Sequence, residues 1–342
     1  MNKLVCTSLA AVALAASAAS THAAPFTTTT SQAAGDTNNW NAAIWNPGPV
    51  APTAGNTYEA LPGSRVRSPN GTAGSGGTAV DGQTFTFPGD SLQFTGIGFS
   101  TAAASGEFRF KQNFNNPVFN FPGVGGNPGL IMNGGILNDG DDHIMTISGS
   151  IRAVPGTTSS INPGGGAVTD IGPLRGFILT ATITGSGGFS LDYGHDVTTP
   201  AVLVSSSNPT FTGNWTVNAG WLEGGGANAL GSGNITLTSS QGASTLDLDY
   251  NLTNPTGSLT LMTTSSKLTL DQNLTFGAVS INGTNLLPGV YTEPQLASLF
   301  PSNISSNSNA ASTLTVVPEP AGAILALIGG VALFNRRRRS LE

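Results

Sequence analysis

Asp247 and Asp249 lie two residues apart in the run Leu246-Asp247-Leu248-Asp249-Tyr250. On a strand, that spacing puts both carboxylates on one face and the leucines and tyrosine on the other. Glycoside hydrolysis needs two carboxyls about 5–9.5 Å apart, which such a pair can supply. Lyase chemistry needs a Lys or Arg base, and between residues 176 and 317 the only base is Lys267. The local sequence offers no third polar partner, and strand alternation alone explains the pair. The preferred reading is therefore a solvent-facing Asp pair without catalysis, with Asp247 and Asp249 as the alternative catalytic residues.

Other chemistry is sparser. Asn138-Asp139-Gly140-Asp141-Asp142-His143 gathers oxygen ligands, and Asp139, Asp141 and Asp142 are the candidate Ca²⁺ ligands. The run fits neither an EF-hand loop nor the Gly-Gly-x-Gly-x-Asp calcium repeat, so a polar turn is preferred and no metal site is assigned. His143 and His195 have no zinc-type Cys/His spacing around them. The Gly224-x-Gly226-x-x-Ala229 pattern lacks a surrounding βαβ unit and does not mark a dinucleotide site. No cofactor is expected. Trp40, Trp45, Trp215 and Trp221 could stack on sugar rings, although aromatics among small residues more often fill a core or cover an end.

The elements that would position these groups are short strands. Alternating apolar residues recur as Phe189-Leu191-Tyr193, Trp215-Val217, Ile235-Leu237, Leu246-Leu248-Tyr250, Leu259-Leu261, Leu268-Leu270, Leu274-Phe276 and Val279-Ile281. The period is two, the strand period, and Gly, Asn, Ser or Asp bounds each group. Sustained helical spacing is absent between the ends, apart from a short turn at residues 296–300. The fold class is all-β, either a sandwich or a solenoid. Weak self-similarity favours the solenoid: Met145-Thr146-Ile147-Ser148-Gly149-Ser150 echoes Thr182-Ile183-Thr184-Gly185-Ser186-Gly187, and both resemble the run from Asn234 to Ser240. The echoes are too weak to fix a period.

The two ends read differently. Residues 1–23 have Lys3, an apolar stretch and small residues before the Ala23–Ala24 bond, the pattern of a signal peptide cut there by signal peptidase. The single cysteine, Cys6, lies inside it. At the other end Pro318-Glu319-Pro320 precedes an apolar run at 321–334 and then Arg336, Arg337, Arg338 and Arg339. As a helix that run would span about 21 Å, short of the roughly 30 Å hydrocarbon core, so it would anchor only marginally. Arginines held on the cytoplasmic side leave the main body outside. Without the two ends the chain has seven basic residues and 16 acidic ones, and no basic patch for nucleic acid.

The C-terminal order of Pro-Glu-Pro, short apolar helix and Arg cluster resembles the PEP-CTERM sorting signal, which an exosortase recognises. That resemblance implies transient inner-membrane anchoring, removal of the tail, and release to the cell surface or extracellular matrix.

A second resemblance covers residues 183–237. It rests on Ile183-x-Gly185-x-Gly187, Asn208-Pro209-Thr210-Phe211-Thr212-Gly213, Thr216-Val217-Asn218-Ala219-Gly220-Trp221-Leu222 and Asn228-Ala229-Leu230-Gly231-Ser232-Gly233. These runs look like the autotransporter-associated β-strand repeat, which implies a right-handed parallel β-helix. Trp221 stands where that repeat has a small Thr. The chain also ends without the terminal aromatic strand of an autotransporter barrel.

The expected organisation follows. Residues 1–23 are the signal peptide. Residues 24–175 form an N-terminal β-rich region starting the solenoid, with 38–62 as its cap. Residues 176–300 form the repeat solenoid, 301–316 a Ser/Asn-rich linker flexible over 302–312, and 317–342 the sorting signal with its short transmembrane helix; 291–309 is the candidate cap plus linker at that end. The expected function is a non-catalytic structural or adhesive protein of an exopolysaccharide matrix or biofilm. The alternative is a carbohydrate-binding or polysaccharide-degrading protein on the same scaffold.

Overall fold

The computed structural model describes residues 24–28, 40–69, 82–97, 105–110, 116–139, 144–163, 176–192 and 201–317. The expected signal peptide and the sorting signal from Pro318 onward lie outside these residues. Among the described residues no helix is long and apolar enough to cross a membrane.

The chain is all-β and built from parallel sheets, as a solenoid requires. Among the described residues thirteen strands form one sheet and twelve the other, and for most of them successive strands alternate between the two. Val202, Leu222, Leu246 and Leu268 stack in register in the first sheet, so successive coils take 20, 24 and 22 residues. In the second sheet Phe189, Trp215, Ile235, Leu259 and Val279 stack in the same way. All nine are buried. Side chains alternate across a strand, so each column of apolar residues is flanked by outward columns. Full burial of each such side chain contributes about 1.5–3 kcal/mol, and together the columns form one continuous core.

In the N-terminal half a third face appears. The ten-residue strand Ile144–Ala153 serves two ladders. Residues 144–149 pair with Val118–Phe121 and Gly176–Leu179, whereas 150–153 pair with Leu130–Asn133 and Thr182–Gly185. Gly149 makes the bend with φ 95°, and a Cβ there would strike the carbonyl of Phe121. The echo between residues 145–150 and 182–187 is therefore not a stacking register: Ile183 stacks on Ile151.

Buried asparagines stitch the corners. The Asn208 side chain accepts from the Ile183 N–H at 2.6 Å and donates to the Ala229 carbonyl at 2.7 Å, joining the coils on either side. Such bonds satisfy backbone groups that the sheets leave free where the chain turns.

Both ends of the stack are covered. At the start, the Trp40 N–H donates to the Arg67 carbonyl, and Thr27 and Asn46 exchange backbone bonds, so residues 40–50 lie along both first edges. Trp40 is fully buried and stacks on Phe108, with centroids 5.4 Å apart. At the far end, residues 301–316 are a packed turn of the stack rather than the flexible linker their Ser/Asn content suggested. Asn303 is fully buried and donates to the carbonyls of Thr263 and Ser266 at 2.8 Å, while Ile304 bridges Leu268. The strand Thr313–Val316 then pairs in parallel with Leu274–Phe276. Helix Glu293–Leu299 sits in the intervening excursion, where the Thr292 N–H donates to the Gln295 side chain at 2.9 Å.

Candidate carboxylate site

The strands Val202–Val204, Gly220–Gly224, Ser244–Leu248 and Ser266–Thr269 are consecutive rungs of one parallel ladder. Their inward residues are Val202, Leu222, Leu246 and Leu268, so the next position along each strand faces outward. That outward column reads Leu203, Glu223, Asp247, Thr269. Asp249 and Asp271 follow just past the strand ends.

The expected face alternation is present: Leu246, Leu248 and Tyr250 are buried on the side opposite Asp247 and Asp249. The surroundings of the pair differ from the expectation. Asp249 is exposed, but Asp247 is only 9% accessible. The missing third partner is Asp271. One carboxylate oxygen from each of Asp247, Asp249 and Asp271 lies within 4.8 Å of the others. Glu223 lies beside them, in register with Asp247 on the preceding rung, and its carboxyl feels the Asp249 and Asp247 charges. Oδ1 of Asp247 and Oδ1 of Asp271 are both buried without a hydrogen-bond partner.

Four acids this close disfavour ionisation. Burial, and then the charges of Asp249 and Asp247, push the Glu223 carboxyl from 4.5 to about 7. Burial, and then the charges of Asp271 and Asp249, push Asp247 from 3.8 to about 6. Asp271 is also raised, mainly by burial. No salt bridge among the described residues reaches the cluster, since Arg65–Glu107 belongs to the other sheet. Lys267 is exposed in the neighbouring outward column, in register with Thr245 and Trp221. Trp221 is half-buried there, and its indole Nε1 has no hydrogen-bond partner.

The other sequence candidates are not brought together. Asp139 ends the strand Ile136–Asp139, while Asp141, Asp142, His143 and His195 lie outside the described residues. Trp45 and Trp215 are core residues, as is Trp40. One cavity opens beside Tyr58, Glu59, Gln93 and Arg152.

Glu223 and Asp271 escaped the sequence reading because each is a lone acid in its own segment. Only the strand pairing relates them: Asp271 is 22 residues past Asp249, and Glu223 is 24 before Asp247, the same steps that separate the stacked leucines.

The chain matches no family model, no curated protein and no solved structure. Its chemistry has to be read from this geometry alone.

Proposed function

We propose that the chain is an exported, exosortase-sorted protein whose body is a right-handed β-helix of the autotransporter-associated repeat kind. It serves as a non-catalytic structural or adhesive component of the cell surface or exopolysaccharide matrix. One observation carries this reading. Thr216, Thr236, Thr260 and Ser280 stack in register as a half-exposed row of hydroxyls on the second sheet. Successive rungs are about 4.8 Å apart. A regular, uncharged row of this kind suits a hydrated, sugar-rich surrounding and needs no reaction centre. The sorting tail supports the same destination, as does the acidic balance of the chain between the two ends.

A second reading, a polysaccharide-degrading or carbohydrate-binding protein, draws on Asp247 and Asp249 with Trp221 beside them. Oxygens within 4.8 Å leave no room for the water that an inverting mechanism places between acid and base. The contact is nearer the spacing of a retaining pair, which keeps a degrading activity testable.

The test uses the purified exported protein with the exopolysaccharide of its own host, followed over time by size-exclusion chromatography with light scattering. Co-elution with an unshortened polymer supports the matrix role. A polymer that shrinks with time, and does not with Asp249→Asn, replaces it with the enzymatic reading. Sorting is tested separately by an epitope placed after Arg339: its retention on the exported protein would exclude tail removal.

A further inference from the structure

We propose that Asp247, Asp249 and Asp271 form a binding site for one divalent cation of the calcium class, holding two adjacent coils together. Three observations place the ion here. First, the three carboxylates come from two successive coils and converge to oxygen separations within 4.8 Å. Calcium binds oxygens at about 2.3–2.6 Å, so two ligands of one ion sit up to about 5 Å apart. Magnesium demands near-ideal octahedral geometry and gives up its water reluctantly, so an all-carboxylate set suits it less well.

Second, Asp247 is more than nine-tenths buried, and its Oδ1 meets no donor. The Oδ1 of Asp271 is in the same state. A buried carboxylate oxygen facing other carboxylates is costly unless a cation satisfies it. Third, among the described residues no salt bridge reaches the group, and Lys267 is exposed in the neighbouring column.

The donor set is all oxygen, which selects a hard cation over zinc or copper. Asp249, the exposed member, gives the ion its way in from solvent. Three carboxylates provide at most six oxygens, and water completes the six to eight that calcium takes. Glu223, in register with Asp247 on the preceding rung, stands beside the three ligands and is not counted among them. This site is independent of the matrix role, since it would exist whether or not the protein meets a polysaccharide.

The test uses the full chain, freed of metal with a chelator and returned to chelator-free buffer at pH 7.5. Calcium is added and the melting temperature is followed. Terbium is titrated in parallel, with excitation of the indoles, because Trp221 lies in the adjacent outward column. The expected result is a calcium-dependent rise in melting temperature, sensitised terbium emission that calcium displaces, and a weaker response to magnesium. Asp271→Asn and Asp249→Asn should each weaken calcium binding at least about tenfold. Asp249 is exposed, so its variant keeps the test valid if Asp271→Asn does not fold. No thermal response to millimolar calcium would overturn the proposal. So would a response that survives unchanged in Asp249→Asn.

Discussion

Glu223 and Asp247 stand opposite each other on adjacent rungs of one parallel ladder, both on its outward face. The hydrogen bonding of the sheet holds their two strands about 4.8 Å apart, and Asp249 and Asp271 crowd beside Asp247.

This crowding sets a pH dependence for the metal-free protein. Glu223 is raised from 4.5 to about 7 and Asp247 from 3.8 to about 6, so the folded state holds these protons more tightly than the unfolded chain does. Their stabilising effect is full below about pH 4 and is lost as pH rises through about 6 and then about 7. The charged groups facing them are Asp249 and Asp271. The melting temperature in metal-free buffer should fall between about pH 4 and pH 7, and Glu223→Gln should flatten the upper part of that fall. A curve for Glu223→Gln that overlays the parent would show that this pair does not set the slope.

Asn208 should behave as a structural staple. Its amide satisfies the Ile183 N–H and the Ala229 carbonyl, and the residue is fully buried. Asn208→Ala leaves both backbone groups without partners, each at about 1–3 kcal/mol. Urea unfolding should show a loss of about 2–5 kcal/mol. A loss under 1 kcal/mol would mean that water replaces the side chain.

The corner glycines make a different prediction. A Cβ on Gly213 would strike the Gly187 carbonyl, and one on Gly233 would strike that of Gly213. These three glycines therefore set how closely successive coils approach. Gly213→Ala should cost several kcal/mol, as overpacking against backbone does. Gly283 has φ +75° with open space around its Cβ position, so Gly283→Ala should cost only about 1–2 kcal/mol. Equal losses in the two variants would contradict the stacking argument.

Trp215 separates core from surface within one strand. Its ring stacks on Phe189 with centroids 5.1 Å apart, and its indole N–H donates to the Leu230 carbonyl at 3.1 Å. Trp215→Ala should lose about 3–5 kcal/mol. Thr236, on the outward row, should tolerate Ala within about 0.5 kcal/mol. Comparable losses at the two positions would mean the outward row is not a free surface.

The inward columns were legible in the sequence because their period of two survives any error in coil length. Leu246, Leu248 and Tyr250 fall on the buried side for that reason. The pairing of coils was not legible, because steps of 20, 24 and 22 residues defeat a fixed repeat. So Asp247 and Asp249 could be found as a pair, whereas Glu223 and Asp271 could not be placed beside them. Polarity misled at residues 301–316. Asn303 is as buried as a leucine because its amide bonds two backbone carbonyls and the Asn282 side chain. Composition reads that residue as solvent-loving, and only the corner it occupies explains it.

The strand Thr313–Val316 lies on the outer side of Leu274–Phe276, and the Val317 N–H closes on the Phe276 carbonyl at 3.0 Å. A tether pulling at Val317 along the stacking direction would meet these bonds one after another, as in opening a zip. Pulled along the strand instead, the same bonds would bear the load together. The body would therefore resist sideways drag and yield to axial tension turn by turn. Each turn of 20–24 residues would release roughly 70–80 Å of slack before the next was engaged. Under tension such a body would act as an extensible spacer, lengthening stepwise while the turns still closed kept their fold.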